Sequence, residues 1–156
     1  MTLQKEKVLQ ILQDLHIAYE IHDHPAVPTV EEALPHWNRI NATHCKNLFF
    51  RNHKGNRHYL VIFKHDKQLK IRDLEQRLRQ GKISFASPKR LEKYLGLTGG
   101  SVSVFGLMND SENHVHLFLD DRHLFGRHFN AEVAAGDHQA VSCFEYFREV
   151  VDPLTI

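Results

Sequence analysis

The chain has 156 residues, of which 42% are hydrophobic and 25% are charged, and this composition excludes a disordered or fibrous protein. Its length suits one domain with a single core, so we expect residues 1–156 to form one folded unit. Twenty Lys and Arg residues nearly balance nineteen Asp and Glu residues, and the net charge of +1 excludes nucleic-acid binding through an overall basic field. RNA contact would have to be local, at Lys64–Arg79 or Lys89–Lys93, although solvated helix faces explain these charges equally well.

The N-terminal segment Met1–Leu12 mixes charged and apolar residues and lacks the continuous apolar run of a signal peptide or membrane helix. Cys45 and Cys143 are too few and too unpatterned for a disulfide framework or a zinc knuckle, so we expect two reduced thiols. These features together predict a cytoplasmic protein.

Two helices and a strand are predicted in the N-terminal part of the chain. Apolar residues at the spacing of an amphipathic helix predict the first helix: Val8, Ile11, Leu12 and Leu15. Ala18–His22 alternates weakly and runs into His24-Pro25, which predicts a short strand ended by a turn. Thr29–Glu32 has the pattern of a capping box, so a second helix should start at Val30.

A hairpin and further helices are predicted next. Asn47–Arg51 and His58–Lys64 are rich in strand-forming residues and are separated by the turn-forming Lys54–Asn56. Ile71, Leu74 and Leu78 then predict a charged amphipathic helix that ends at Gly81. Ser87-Pro88 opens another helix, and Gly96 closes it.

The C-terminal part is predicted to hold a loop at Thr98–Ser101, a buried strand at Val115–Leu119 and a last helix beginning at Ser142, whose capping box Glu145 completes. Strands and helices are therefore mixed rather than strictly alternating. This order favours an α/β (α+β) fold with a mixed, barrel-like curved sheet and helices packed outside it over a doubly wound sheet.

Three stretches matter most in combination: His24–Ala33, Cys45–Phe49 and Leu95–Asp110. Their residues, order and spacing resemble the prolyl-tRNA synthetase editing-domain family, also called the YbaK family, in its free-standing form. The similarity is closer to the members that deacylate alanyl-tRNA(Pro) than to the cysteinyl-tRNA(Pro) deacylases. It covers roughly residues 5 to 120.

The resemblance implies a trans-editing hydrolase that cleaves the ester between a wrongly attached amino acid and the 3′ terminal adenosine of tRNA(Pro). The expected substrate is alanyl-tRNA(Pro). It implies no metal and no nucleotide cofactor. The expected partners are mischarged tRNA and, as a second candidate, prolyl-tRNA synthetase, whereas neither a membrane nor DNA is expected.

The resemblance also implies the residues of the site. Lys46, Gly100 and Ser101 are the expected catalytic residues, with Lys46 as a fixed positive charge and the glycine loop as a source of inward backbone N–H groups. The expected substrate-binding residues are Thr29, Asn47, Gly99, Val102 and His128. Asn47 is expected to orient Lys46, and Thr29 to lie at the rim of one shared pocket, although its capping role explains it equally well.

Other chemistry is disfavoured by the same residues. His22 with His24 and His114 with His116 have strand-face spacing, but no third ligand has diagnostic spacing, so no metal site is expected. Cys45 lacks the companions of a thiol nucleophile.

Two departures from the family pattern keep an alternative open. Val104 stands where the family commonly has proline, and Arg127–Glu132 lacks the usual His-Pro and Asn-Thr pairs. The alternative is a catalytically weak homologue that binds tRNA, a synthetase or an amino acid as a regulatory module.

Overall fold

The computed structural model describes residues 3–23, 25, 29–40, 43–99, 101–119, 129–132 and 139–143. The α-helices in these ranges are α1 (Leu3–Asp14), α2 (Val30–Trp37), α3 (Ile71–Leu78) and α4 (Pro88–Leu95). The strands are β1 (Tyr19–Asp23), β2 (Thr43–Asn52), β3 (His58–Lys64), β4 (Ile83–Phe85), β5 (Val115–Leu119), β6 (Phe129–Glu132) and β7 (Gln139–Cys143). A 3₁₀ helix, Val104–Asn109, follows α4. Among the described helices, none combines the length and the apolar character needed to cross a membrane.

The strands form one mixed sheet in the order β1-β7-β6-β2-β3-β5, with β4 paired to β2 beside this path. β2 pairs antiparallel with β3 and β4 but parallel with β6, and β3 pairs parallel with β5. The prediction of a mixed α+β fold is therefore confirmed. Over the described strands the path has two ends, β1 and β5, so the sheet is open.

The core is divided between the two faces of β3, whose residues His58–Phe63 are all buried. On one face, Leu60 and Ile62 pack in a cluster with apolar residues of α1 and α4: Val8, Leu12, Leu91 and Leu95. On the other face, Val61 and Phe63 pack in a cluster with Leu74 of α3. Alternation along one strand thus holds helices outside both faces of the sheet, as predicted.

Local signals predicted most of these elements, with two differences at their ends. β2 begins at Thr43 rather than Asn47, so Lys46 lies inside the strand and not at its entrance. α3 ends at Leu78, where Arg79 takes the left-handed C-cap conformation (φ 51°); Gly81, expected at the end of this helix, is left-handed as well (φ 75°). Arg79 closes the helix because its backbone N–H still donates to the carbonyl of Glu75.

The prediction of a last helix beginning at Ser142 is wrong at its start. Ser142 lies in β7, where it pairs with both Glu20 of β1 and Asn130 of β6. Pairing on both edges satisfies the backbone of this segment within the sheet, and these long-range partners outweigh the local capping pattern. The remainder of the predicted helix, residues 144–151, lies outside the described residues.

Two glycines fix the connection between α4 and the 3₁₀ helix. Gly96 ends α4 with a φ of 64°, as predicted from its sequence position. Gly106 lies against α4 so closely that an added Cβ would be 2.9 Å from Leu95 Cβ and 2.7 Å from Leu97 Cδ1. Asn109 Nδ2 donates to the carbonyl of Leu95 at 2.9 Å and holds the same contact from the other end. These two contacts tie the 3₁₀ helix to the C-terminal end of α4.

Val104, the departure from the family pattern in this segment, is fully buried at the first position of the 3₁₀ helix. Ser103 caps that helix, since its Oγ accepts from the backbone N–H of Phe105 at 3.3 Å. Proline suits a first helical position, so the family residue and Val104 are compatible with the same local backbone. The start of the 3₁₀ helix is kept without proline.

Candidate active site

The middle of β2 has an edge that no described strand covers. β6 pairs with Thr43 and His44 at the start of β2, β4 pairs with Phe50–Asn52 at its end, and β3 occupies the opposite edge. Between β6 and β4, the backbone of Cys45–Phe49 pairs with no described strand on this edge, and Ala86 N–H donates to Phe49 O at 2.9 Å. This gap in the sheet contains the second of the three family-like stretches.

In this part of β2, neighbouring side chains point to opposite faces of the sheet, as strand alternation requires. Phe50 and Leu48 pack in the cluster of α3, so Lys46 lies on that face. Phe49 and Cys45 pack in the cluster of α1 and α4, so Asn47 lies on that face. The expectation that Asn47 orients Lys46 is therefore wrong, since adjacent residues of a strand do not share a face.

Lys46 lines a cavity of about 360 Å³, here called the lysine cavity, together with Leu48, Phe63, Lys67, Ile71 and Phe85. The Lys46 side chain is half-buried. Over the part of the chain that the structure describes, its ammonium makes no internal hydrogen bond or ion pair. Lys64 differs, because its ammonium is 2.9 Å from Asp66 Oδ2. Lys46 thus has a charge available to a ligand.

Asn47 lines a second cavity of about 190 Å³, the loop cavity, together with Phe85, Ala86, Leu91, Gly99 and Val102. Its Nδ2 donates to the carbonyl of Val102 at 2.9 Å and ties the glycine loop to β2. Its Oδ1 is buried and accepts no hydrogen bond from the described residues. A buried acceptor without a donor is costly, so a ligand donor in this cavity would be favourable.

The lysine cavity and the loop cavity are two neighbouring cavities, whereas the sequence led us to expect a single pocket. Leu48 and Phe85 line both. Lys46 and the glycine loop are therefore brought to the same edge of β2, with Lys46 on one side of that edge and Gly99 and Val102 on the other.

The glycine loop supplies fewer donors than expected in the residues described. Gly99 is exposed, and apart from its chain neighbours no atom of the described residues lies within 4 Å of where its Cβ would be, which leaves room for a ligand. Ser101 is buried, and its backbone N–H donates to the carbonyl of Thr98 at 3.3 Å. That N–H is therefore not directed at either cavity. Gly100 lies outside the described residues.

The other two expected substrate-binding residues are not joined to these cavities by the described structure. Thr29 is exposed and caps α2, with its Oγ1 accepting from the backbone N–H of Glu32 at 3.3 Å, so its capping role is confirmed. His128 lies outside the described residues.

A buried histidine pair was missed by sequence reasoning. His58 is fully buried, with Nδ1 2.8 Å from Nε2 of His114 and Nε2 2.9 Å from Nη1 of Arg90. Because a guanidinium only donates, His58 Nε2 must accept and its Nδ1–H must donate to His114. Burial, reinforced by the nearby positive charges, lowers the pKa of His58 to about 4, so it is neutral at pH 7. Tyr94 stacks on His114 and covers the pair.

A second ring cluster lies at the other end of the hairpin. Trp37 stacks on His44 with ring centroids 4.9 Å apart, and His65 meets Trp37 edge-on at 5.8 Å. Burial is the main cause that lowers the pKa of His44. Period-two spacing puts His44 on the same face of β2 as Lys46, a signal that the sequence carried.

The nucleophile and metal alternatives can be compared with the structure. Burial raises the pKa of the Cys45 thiol to about 12, so this side chain is protonated at neutral pH and unsuited to nucleophilic attack. Within the described ranges, no group of three or more His, Cys, Asp or Glu residues could hold a metal ion. His22 instead lies 3.4 Å from Glu20, and His114 contacts His58.

Comparison with known proteins gives consistent matches. A family model described as aminoacyl-tRNA editing domain matches residues 24–140 and includes all three family-like stretches. Prolyl-tRNA editing protein ProX of Acetoanaerobium sticklandii is 38% identical over 91% of this chain and 85% of its own. Prolyl-tRNA synthetase associated domain-containing protein 1 of Bos taurus is 34% identical over 76% of this chain and 70% of its own. The resemblance deduced from the sequence is thereby confirmed.

A solved structure gives the same result for the fold. It is described as a candidate trans-editing enzyme for prolyl tRNA synthetase, and it aligns with a TM-score of 0.67 over 91% of this chain and 87% of its own. Its sequence identity to this chain is 19%.

Proposed function

We propose, from the premise that this chain belongs to the aminoacyl-tRNA editing domain family, that it is a trans-acting deacylase of mischarged tRNA(Pro). In this proposal residues 1–156 form a single editing domain that acts in the cytoplasm on the aminoacylated 3′ end of tRNA. The observation that carries the proposal is the half-buried Lys46, which lines a cavity at the open edge of β2 and whose ammonium has no internal partner among the described residues.

Hydrolysis of an aminoacyl ester needs only limited help from the protein. Attack of water on the ester carbonyl forms a tetrahedral oxyanion, which collapses with release of the adenosine hydroxyl and the free amino acid. A fixed positive charge near the developing oxyanion or the adjoining phosphate lowers this barrier, and holding the ester beside a water supplies the rest. We assign the first role to Lys46, because its ammonium is not committed to an internal carboxylate.

The aminoacyl group is assigned to the loop cavity. The buried Oδ1 of Asn47 can accept a hydrogen bond from the α-ammonium, which every aminoacyl ester carries. A volume of about 190 Å³ corresponds to roughly six water molecules, which is enough for a small aminoacyl group. The small volume favours a small amino acid, and we propose alanine, with Gly99 and Val102 as walls of its subsite.

The remaining assignments rest on the family resemblance. Gly100 and Ser101 are proposed to stabilise the oxyanion, although the Ser101 N–H must first leave its 3.3 Å hydrogen bond to Thr98 O. Thr29 and His128 are proposed to contact the substrate from outside the two cavities. Prolyl-tRNA synthetase is proposed as the source from which mischarged tRNA is received.

The separation of Lys46 and the glycine loop into two cavities favours a second candidate, a module that binds the aminoacylated end without hydrolysing it. One assay separates the candidates: deacylation of alanyl-, cysteinyl- and seryl-tRNA(Pro), with tRNA binding measured in parallel. The proposal expects turnover that is fastest on alanyl-tRNA(Pro). Tight binding without turnover on any of the three substrates would overturn it in favour of the binding module.

A further inference from the structure

The ring of Phe85, at the end of β4, is unusually exposed for its size. Its exposed fraction is 61%, the highest of the large hydrophobic residues that the structure describes as exposed. Scattered exposed apolar residues are common and need no explanation on their own. Phe85 is different, because it forms part of the wall that the lysine cavity and the loop cavity share.

The ring is held firmly from below. Phe85 is directly opposite Phe50 in the pairing of β4 with β2, and their rings stack with centroids 4.8 Å apart and planes 23° apart. Phe50 is completely buried, so it anchors Phe85 on the core. One side of the Phe85 ring therefore rests on a fixed support, while the ring as a whole stays accessible.

The surroundings of the ring carry positive charge. Phe85 shares the face of Lys46, because Phe85 pairs with Phe50 and Phe50 is four positions from Lys46 on β2. At the usual rise per strand residue, Lys46 and Phe50 are about 13 Å apart along β2, and both Lys46 and Phe85 line the lysine cavity. Lys67 lines the same cavity. An accessible aromatic ring in a cavity lined by lysines is the combination that holds single-stranded nucleic acid.

We propose that Phe85 is the stacking platform for the terminal adenine of the tRNA substrate. This inference rests on the proposed function and identifies the position of the base within it. A base on Phe85 would direct its ribose, which carries the ester, toward the shared wall at Leu48 and would keep the phosphate on the side of Lys46 and Lys67. The positive charge of the lysine cavity favours a nucleic-acid end over an apolar segment of a partner protein.

The test is a cycle that combines a change in the protein with a change in the RNA. Affinity is measured for uncharged tRNA(Pro) ending in CCA and for the same tRNA lacking its terminal adenosine, with wild type, Phe85→Ala, Phe85→Leu and Phe85→Tyr. Loss of a base–aromatic stack is expected to weaken wild-type binding by roughly tenfold when the adenosine is removed. Phe85→Ala and Phe85→Leu should bind both RNAs with the same weakened affinity, whereas Phe85→Tyr should behave as wild type.

Leu15→Ala is the matched control, because Leu15 is also an exposed apolar residue, 42% exposed, and follows α1 away from both cavities. Melting temperatures of all variants show whether each is folded. If Phe85→Ala still loses affinity with the adenosine as wild type does, or if Phe85→Leu retains wild-type behaviour, the platform is wrong. Failure of the proposed function would give a different result. The affinities of the Phe85 variants would follow the expected pattern, but wild type would hydrolyse no mischarged tRNA.

Discussion

The two faces of β2 at its open edge use their polar groups in opposite ways. The face that Asn47 shares with Cys45 and Phe49 is here called the closed face. On it, Asn47 Nδ2 donates to Val102 O, and on the neighbouring β3 His58 is hydrogen-bonded to His114 and Arg90. The face that Lys46 shares with Leu48 and Phe50 is here called the open face. On it, Lys46 lines the larger cavity and has no internal partner among the described residues. The closed face determines where the glycine loop lies, and the open face keeps a charge available. A residue that is held internally stabilises structure, whereas one left without a partner is a candidate for chemistry.

Removing the open-face charge is expected to have the largest effect. Lys46→Ala should lower kcat for alanyl-tRNA(Pro) by about 10² to 10³, the range found when one oxyanion-stabilising donor is lost. Its melting temperature should stay close to wild type, because a lysine without an internal partner contributes little to stability.

Lys64→Ala is the matched control, since Lys64 is an exposed lysine at the end of β3 that pairs with Asp66 and lines neither cavity. Its turnover should equal that of wild type. Wild-type turnover by Lys46→Ala would contradict the proposed role.

Acid should act first on the closed face, where the pKa of His58 is lowered from 6.5 to about 4. Below pH 6.5 the unfolded chain takes up a proton at this position while the folded protein does not. The free energy of unfolding should therefore fall as the pH decreases from about 6.5 to about 4, by up to about 3 kcal/mol from this residue.

The measurement is denaturant unfolding at several pH values for wild type and His58→Gln. The variant lacks the titrating group, so its stability should depend less steeply on pH in this window, whatever its stability at pH 7.5. Parallel curves for the two proteins would show that His58 does not control this dependence.

Asn47→Ala tests the tie between the closed face and the glycine loop. The variant loses the hydrogen bond to Val102 O, and we expect a loss of about 1 kcal/mol in unfolding free energy. It also removes the proposed acceptor for the α-ammonium, so KM should rise. Asn47→Asp retains an acceptor but cannot donate to Val102, and a KM near wild type in this variant would assign the effect to the α-ammonium. Equal rises in both variants would assign it to the loop.

Cys45→Ser should have the smallest effect. The thiol is protonated, because burial raises its pKa to about 12, and it packs on the closed face. Turnover should remain within about twofold of wild type if charge and positioning carry the reaction. Loss of turnover in a variant that melts as wild type does would point to a thiol nucleophile instead.

Local patterns predicted the elements that local forces determine. The first helix, the hairpin of β2 and β3 and the stop at Gly96 follow from apolar spacing, strand propensity and the left-handed glycine. Ser142 was misassigned because its strand partners, Glu20 and Asn130, are distant in sequence. The capping pattern was visible locally, but the pairing that overrides it was not.

The candidate site was predicted in its residues more than in its geometry. Alternation along β2 was available from the sequence and would have separated Lys46 from Asn47, but the strand was begun too late. The His58 and His114 pair could not be found in this way, because its residues come from different strands and segments that only the fold joins. Phe85 carried no signal, since its importance lies in its exposure between two cavities.

The open edge of β2 also matters for self-association. An uncovered strand edge displays backbone groups that can pair with another copy, and proteins commonly blunt such edges with lysine. In our proposal the substrate enters at Cys45–Phe49, so a permanent strand could not cover this edge. We therefore expect the positive charge of Lys46 in the middle of the edge to disfavour pairing with another copy, which would give the proposed catalytic residue a second role.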